Sequence, residues 1–375
     1  MSFAIKDRIE VSLFINDTEF PLEALNVLHF IHIAWTTRAL VPTVHFSIFD
    51  ATHTLDSVPL QDGIPIRVVI RAYQGQTQTF NFRKYDHKKT NMGNGFAYEV
   101  DGYLDFPKYW TGTSVAGLRG TSNDVLSQIA TTCGLQFDGA STSDSQLWLP
   151  RNKTYAEFAR SIADRGYATA ASYMEMAVTS TGVLRYKDVI TLPPPQPSQR
   201  LVLGQFMSGV FTAMDYRPIA RSGMNNKMTG YQNSRYSQSL ITDVPSTQIN
   251  TLEFRPDASA PLYNLSVKEK VVRGYQTFSG IDVGNTHANY EQALYQNLRY
   301  ANLYSLDVEF LVQSPTQFQP LDTMSFIVDQ EYSLTDKAYA GTYAVVGRAI
   351  YITGGTYAEK ILGTRVGTDS QYTQG

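Results

Sequence analysis

Apolar and polar residues alternate in many short segments of this chain, and turn residues separate the segments. A period of two places successive side chains on opposite faces of a β-strand, whereas a helix needs a period near 3.6. Asn16-Asp17 ends the first segment as a turn, and Asp62-Gly63 precedes another. The alternating positions are Ile9, Val11, Leu13 and Ile15; Val44, Phe46 and Ile48; Ile64, Ile66, Val68 and Ile70; Phe96, Tyr98, Val100 and Gly102; Leu306, Val308, Phe310 and Val312; and Met324, Phe326 and Val328. The sequence therefore predicts a mainly β protein.

The composition narrows the classes of function. At ~100–200 residues per domain, 375 residues allow two to four domains. A net charge of −3 argues against a protein that grips duplex DNA, although a channel that DNA only traverses needs no basic excess. Cys133 is the single cysteine, which excludes an intrachain disulfide and fits a reducing cytoplasm. We expect no signal peptide and no stable membrane association, because no apolar run approaches ~20 residues.

Two short helices interrupt the strand pattern. Thr121 and Asp124 have the spacing of a capping box, and Gly134 follows as a C-cap. Thr154 and Glu157 repeat the box, and Gly166 is expected to end the second helix. A hairpin over residues 173–186 should follow, which makes this part an α+β insert. A third helix is predicted from Thr286, with an apolar stripe at Tyr290, Leu294, Leu298 and Ala301.

A proline-rich segment marks a domain boundary. Residues 192–197 hold four prolines, which favours a stiff linker over a helix or a central strand. We therefore divide the chain into a first β-barrel (1–113), an α+β insert domain that ends in this linker (114–197), a β-rich connecting region (198–284) and a second β-barrel (285–375). The connecting region contributes part of the second barrel and an accessory domain.

Two distant parts of the chain resemble each other. Pro59-Leu60 leads through an acidic turn into a strand, and Tyr-x-Val-x-Gly follows at residues 98–102. Pro320-Leu321 leads through Asp322 into a strand, and Tyr-x-Val-x-Gly follows at residues 343–347. Strands of this composition also resemble one another by chance. The sequence alone leaves open whether the chain carries two copies of one β-barrel.

The order of these parts resembles a known family. The resemblance is carried by residues 123–130, by Cys133-Gly134-Leu135 and Trp148-Leu149-Pro150, and by residues 155–167. The predicted helix from Leu294 to Ala301, which runs into a long strand, and the predicted closing strand over residues 357–365 add to it. The chain is similar here to the central hub proteins of contractile phage tails and to the N-terminal part of type VI secretion spike proteins of the VgrG family.

The resemblance implies a fold and a structural role. Hubs of this family have two tube-like β-barrel domains plus smaller accessory domains, and they form homotrimers with a pseudo-sixfold ring. The implied partners are a tail tube protein or distal tube-initiator ring, a trimeric spike protein, other baseplate (wedge) proteins and a tape-measure protein, with DNA as a transient passenger. The implied location is the tail baseplate of a virion, after assembly in the host cytoplasm. Because the chain ends at Gly375, soon after the last barrel, we expect the spike to be a separate polypeptide.

The sequence offers few candidates for chemistry. His29 and His32 would share a face on a helix, but on a strand they point to opposite faces. Their surroundings indicate strand or irregular structure and no third ligand is close in sequence, so we expect no metal site. Glu99, Asp101 and Asp105 include two carboxylates on one strand face, which glycoside cleavage could use. Surface acids on a strand are the commoner arrangement, and we expect no catalytic residue.

The remaining motifs are explained by structure. Gly112 and Gly117 begin a P-loop spacing that Leu118 and Arg119 break, and Gly112-Thr113-Ser114-Val115-Ala116 lacks the final glycine of a nucleophile elbow. Neither a phosphate nor another cofactor is expected. Cys133 lies on an apolar helix face and should be a buried, inert thiol. Residues 83–89 form the one basic cluster, which is interpreted first as a solvated hairpin loop, next as a contact for a partner protein, and last as a DNA contact.

Two other classes of function remain as alternatives. A carbohydrate-binding tail protein would use exposed Tyr and Trp as sugar platforms. A cell-wall-degrading protein would need Glu99, Asp101 or another acid in a cleft. The preferred hypothesis is the structural hub, which is not an enzyme.

Overall fold

The computed structural model describes residues 9–20, 22, 28–51, 55, 58, 60–72, 77–114, 116–169, 172–204, 210–220, 248–254, 272–278, 306–353 and 356–365. Strands dominate these ranges, and the four α-helices within them are short. The predicted fold class is confirmed: the protein is mainly β, with a closed barrel and an α+β insert. In the described part, no helix is both long enough and apolar enough to cross a membrane.

Thirteen of the described strands form one continuous sheet. The sheet consists of two sets of strands, and one strand of the second set pairs with one strand of the first. The first set comprises β1 (Ile9–Ile15), β2 (Thr18–Phe20), β3 (Leu28–Thr36), β4 (Thr43–Asp50), β5 (Pro65–Ala72), β6 (Thr77–Asn91) and β7 (Phe96–Leu104). The insert contributes β8 (Leu118–Gly120), β9 (Gln136–Gly139), β10 (Gln146–Trp148), β11 (Met174–Val178) and β12 (Val183–Asp188) outside this sheet. The second set comprises β13 (Arg200–Leu203), β14 (Phe211–Ala220), β17 (Leu306–Val312), β18 (Thr323–Val328), β19 (Gly341–Thr353) and β20 (Thr356–Arg365). A separate hairpin contains β15 (Gln248–Phe254) and β16 (Val272–Phe278).

The second set closes into a six-stranded barrel. Its order is β18-β13-β14-β17-β20-β19, and β19 pairs back onto β18. Phe310, Phe326 and Tyr343 fill the interior, with the Phe310 ring centroid 4.7 Å from that of Phe326 and 5.3 Å from that of Tyr343. Buried residues alternate with more exposed ones along most of β17 and β20, as the sequence pattern predicts. The predicted closing strand over residues 357–365 is confirmed as β20.

The first set continues the same sheet from β19 in the order β3-β4-β7-β6-β5-β1-β2. The turn at Asn16-Asp17 is confirmed, with both residues at positive φ, and Gly63 takes a φ of 82° in the predicted turn before β5. Pro65 would suit an edge strand, but β5 lies between β1 and β6. The proline is tolerated there because it is the first residue of the strand.

Five strands of each set repeat one arrangement. In chain order, β3, β4, β5, β6 and β7 correspond to β14, β17, β18, β19 and β20. The sheet order is β3-β4-β7-β6-β5 in one set and β14-β17-β20-β19-β18 in the other, and all of these pairings are antiparallel. The sixth position differs, because β1 is antiparallel to β5 whereas β13 is parallel to β18.

The register of the two sets agrees residue by residue. Gly102 pairs with Val44 on one side, and Gly363 pairs with Val308 in the same way. A β-bulge follows Lys84 opposite Gly102, and another follows Val345 opposite Gly363. The β3–β4 pair is also bulged between Leu28 and Phe30, and the β14–β17 pair between Ala213 and Asp215. Bulges fall at the same counterpart positions in both sets, so the chain contains an internal duplication.

The two halves of the sequence motif that suggested the duplication have different outcomes. The Pro-Leu halves lead into β5 and β18, which are counterparts, but the Tyr-x-Val-x-Gly halves do not occupy equivalent positions. They match Gly102 on β7 with Gly347 on β19, but β19 is the counterpart of β6 and the register makes Gly363 the counterpart of Gly102. That residue-level match was wrong. Strands that border one barrel have similar compositions, so short motifs fit more than one of them.

The insert forms as predicted and packs on the first set. Helix α1 (Pro107–Thr111) precedes α2 (Ser122–Cys133) and α3 (Tyr155–Ala163), and both predicted capping boxes are present. Gly134 ends α2 in the left-handed conformation with a φ of 80°. Helix α3 ends at Ala163, earlier than the Gly166 that was predicted. A single apolar cluster joins the inner faces of α2 and α3 to the first sheet.

The proline-rich segment packs against the barrel. Thr323 Oγ1 donates a hydrogen bond of 2.7 Å to the Pro193 carbonyl, and Leu192 is buried beside Leu321 and Ala344. The division into four domains that was drawn from the sequence stays a prediction. The predicted helix from Thr286, with Tyr290, Leu294, Leu298 and Ala301, lies outside the described residues. A last short helix, α4 (Leu334–Lys337), lies between β18 and β19.

Candidate assembly surface

The two sets of strands meet at one seam. The outer half of β19 pairs antiparallel with β3, in a register that runs from Gly347 opposite Thr36 to Ile352 opposite Ile31. Ile31, Ile33 and Ile350 are all fully buried. The seam is therefore an apolar, hydrogen-bonded junction between the first set and the barrel.

A buried ion pair lies beside the seam. Glu359 on β20 accepts hydrogen bonds from Arg348 Nε at 2.7 Å and Arg348 Nη2 at 2.9 Å, and both side chains are almost fully buried. Glu359 also accepts from the Tyr357 hydroxyl at 2.8 Å and from the Thr316 backbone N–H at 3.0 Å. Arg348 Nη2 donates to Gln78 Oε1 at 3.0 Å, so the network reaches from the barrel into β6.

Polar contacts also attach the insert to both sets. Arg160 on α3 donates to Glu175 Oε1 at 2.9 Å and to the Thr37 carbonyl after β3. Arg185 on β12 donates to Asp322 Oδ1 at 2.6 Å, beside the start of β18. These arginines and their acids were not predicted from the sequence. The available signal was a charged residue inside an apolar strand pattern, as at Glu175 between two methionines and at Arg348 before Ala349 and Ile350.

The described pairings leave several strand edges open, among them the edge of β2 at the end of the sheet and parts of β6 and β14. We define the β6 edge as residues 86–91 and the β14 edge as residues 216–220. The β6 edge pairs with β7 only, because β5 covers β6 only up to Arg83. The β14 edge pairs with β17 only, since β13 reaches no further than Ala213. All six side chains of the β6 edge are exposed.

The basic cluster over residues 83–89 lies in β6, so its interpretation as a hairpin loop was wrong. The turn comes later, at residues 92–95. Lys84 is buried, and its ammonium group lies 2.6 Å from Asp62 Oδ1, so that this hydrogen bond holds the pKa of Asp62 below its usual range. Lys88 and Lys89 lie on the β6 edge, where solvent exposure gives a strand the composition of a loop.

The paired histidines lie three residues apart on β3, which agrees with the strand alternative of the sequence analysis. The His32 ring stacks on Tyr351 across the seam at 4.5 Å between centroids. Burial lowers the pKa of His32, with a further effect from His45. Among the described residues, no group of three or more His, Cys, Asp and Glu side chains is placed to hold a metal ion.

Two of the three acids considered for catalysis have ion-pair partners. Asp101 Oδ1 lies 2.8 Å from His45 Nδ1, and Asp105 Oδ1 accepts from Arg83 Nε at 2.6 Å. Glu99 is exposed on β7. Ser114, in the loop that resembles a nucleophile elbow, donates to the nearby Ala116 carbonyl at 3.2 Å. These contacts explain the residues by local structure.

The single thiol gives a direct chemical prediction. Cys133 is 6% exposed on the inner face of α2, and burial raises its pKa to about 11. At pH 8 its thiolate fraction is then about 100-fold lower than at the usual pKa of 9.0. We expect alkylation by iodoacetamide at pH 8 to be at least this much slower in the folded chain than in urea, as measured by mass spectrometry. Equal rates in both states would contradict the buried position.

Comparison with known proteins identifies the fold. No protein-family model matches the sequence, and no curated protein matches it. The 43 kDa tail protein of prophage MuSo2 from Shewanella oneidensis is 11% identical, with a TM-score of 0.60 over 95% of this chain and 98% of that chain. A tail protein from Neisseria meningitidis MC58 is 10% identical, with a TM-score of 0.56 over 95% of this chain and 96% of that one. The expected resemblance to phage tail proteins is therefore confirmed at the level of the fold.

Proposed function

We propose that this chain is a structural hub of a phage-type tail, in which three copies form a ring with pseudo-sixfold symmetry. The internal duplication is the observation that carries this proposal. Each chain supplies two units of one five-strand arrangement, so three chains supply six. Such a ring can match a sixfold partner on one face and a threefold partner on the other.

The proposed partners follow from that symmetry and from the fold. The sixfold face would contact a tail tube protein or a distal tube-initiator ring, and the threefold face a trimeric spike protein. Other baseplate (wedge) proteins and a tape-measure protein complete the set, and the central opening would pass the genome during ejection. The place of action is the tail baseplate of a virion, here taken to be contractile, after assembly in the host cytoplasm. The role is structural and needs no catalytic, cofactor-binding or metal site.

Light scattering of the purified full chain, followed by negative-stain imaging, tests the proposal. We expect a mass of three subunits and a ring with an open centre, because permanent homo-oligomers bury large and partly apolar interfaces. The sample should be measured alone and together with the tube and spike proteins of the same source. A monomer in every one of these samples would contradict the proposal.

A further inference from the structure

We propose that the β6 edge of one chain pairs antiparallel with the β14 edge of a neighbouring copy, and that this contact closes the ring. The inference rests on the proposed function, since it names the contact by which the copies meet. It assigns the occupant of both open edges to a second copy of this chain. The expected register places His87 opposite Ala220, Lys89 opposite Pro218 and Asn91 opposite Tyr216.

The register follows from the seam within the chain. There, β3 of the first set pairs with the outer half of β19 in the second set. The counterpart of β3 is β14, and the counterpart of β19 is β6. If six equivalent units form a ring, each junction between chains must repeat the seam, and the strands available for it are β14 of one chain and β6 of the next. Both of these strands have an open edge at the positions that the seam would use.

Each residue pair of the seam can be mapped onto a pair of residues on the β14 and β6 edges. The matched bulges make Val345 the counterpart of Lys84 and Gly347 the counterpart of Asp86, so Ile350 corresponds to Lys89. In the same way, Ile33 pairs with Val44 and Pro218 pairs with Val308, so Pro218 is the counterpart of Ile33. Because Ile350 lies opposite Ile33 in the seam, Lys89 should lie opposite Pro218 in the neighbouring chain.

Residues on the β6 and β14 edges are more exposed than their counterparts on β19 and β3. This is the difference expected if a partner strand covers β19 and β3 but is absent from the two open edges. Ile33 is fully buried beneath the seam, whereas its counterpart Pro218 is exposed. Ile219 is 40% exposed, although its counterpart Ala34 is partly covered by β19. Residues 86–91 are all exposed, whereas Gly347, Arg348, Ile350 and Ile352 on β19 are buried. The same positions are therefore covered where a partner strand is present and open where it is absent.

Both edges satisfy part of their backbone locally. Asp86 Oδ1 accepts from the His87 backbone N–H at 2.8 Å, and Asp215 Oδ1 accepts from the Tyr216 backbone N–H at 2.8 Å. Such contacts, with Lys88 and Lys89 beside them, protect an open strand from indiscriminate pairing. The seam within the chain is apolar, but the β6 edge is polar, which lets the single chain stay in solution until a matched edge arrives.

The test is a disulfide at the predicted register. Residues directly opposite in an antiparallel pair have Cα atoms about 4.5–5.5 Å apart, which suits a disulfide. In the full-length double variant K88C/I219C, oxidation should shift most of the protein from the monomer band to a covalent trimer on a non-reducing gel. The matched control N91C/I219C is three residues out of register and should stay monomeric on that gel. Cys133 does not interfere, because its thiol is buried.

Two further measurements separate the outcomes. A mixture of the single variants K88C and I219C should give only a crosslinked dimer, which shows that the bond joins two chains. A trimer by light scattering without crosslinking of K88C/I219C would overturn this register and leave the hub role intact. A ladder that continues beyond the trimer would support the strand pairing and contradict the closed ring. A monomer in all samples would overturn both.

Discussion

Replacing Arg348 with Met should lower the free energy of unfolding by about 3–5 kcal/mol, because the substitution leaves a buried carboxylate without its cation. Glu359 is fully buried and receives two hydrogen bonds from Arg348. The guanidinium also lies over the Trp35 ring, 4.8 Å from its centroid, so Trp fluorescence should report the loss. Urea denaturation followed by this fluorescence measures the change.

A neighbouring ion pair supplies the control for this result. Lys360 lies 3.0 Å from Glu309, but both side chains are partly exposed, so Lys360→Met should cost no more than about 1 kcal/mol. The double variant R348M/E359Q should recover part of the loss, because the amide is neutral and its oxygen still accepts from Tyr357 and Thr316. Equal effects of R348M and K360M would show that the buried pair does not stabilise the junction.

Replacing Arg160 with Met should cost about 2–4 kcal/mol and loosen the insert from the first set of strands. The substitution removes the nearer of two cations beside Glu175, which is 3% exposed, and it removes donors to the Thr37 and Met176 carbonyls. The second cation, Arg38, lies 3.8 Å from Glu175 Oε2 and stays in place. The Tyr173 hydroxyl, 2.8 Å from Glu175 Oε2, remains and limits the loss. Limited proteolysis should then cut the insert faster than the barrel, and urea denaturation gives the change in free energy.

Arg165, two residues after α3 ends, offers a matched comparison. It donates to the Ser161 carbonyl at 2.9 Å and its guanidinium lies 5.2 Å from the Trp148 ring centroid; both of these groups are uncharged, so Arg165→Met should cost only about 1 kcal/mol. The double variant R160M/E175Q should regain stability by removing the buried charge. If R160M destabilised the protein no more than R165M, the Arg160–Glu175 pair would not be what attaches the insert.

Most individual elements were predictable from the sequence because their causes are local. The two capping boxes depend on side chains three residues apart, and the strands depend on an alternation that spans a few residues. The basic cluster over residues 83–89 shows where a prediction from the local sequence fails. Residues 86–91 have the polarity of a loop, yet their backbone pairs with β7, and one open edge is enough to give a strand that composition.

The sequence by itself therefore determined the mainly β class, the capped helices of the insert and the buried thiol of Cys133. The tertiary structure decided which strands pair, which positions are counterparts in the duplication and which edges stay open. The physical reason is distance along the chain. The seam joins Thr36 to Gly347, more than 300 residues apart, and Arg348 donates a hydrogen bond to Gln78, which is 270 residues away in the sequence. Contacts between such remote segments depend on register and topology, which local patterns do not specify.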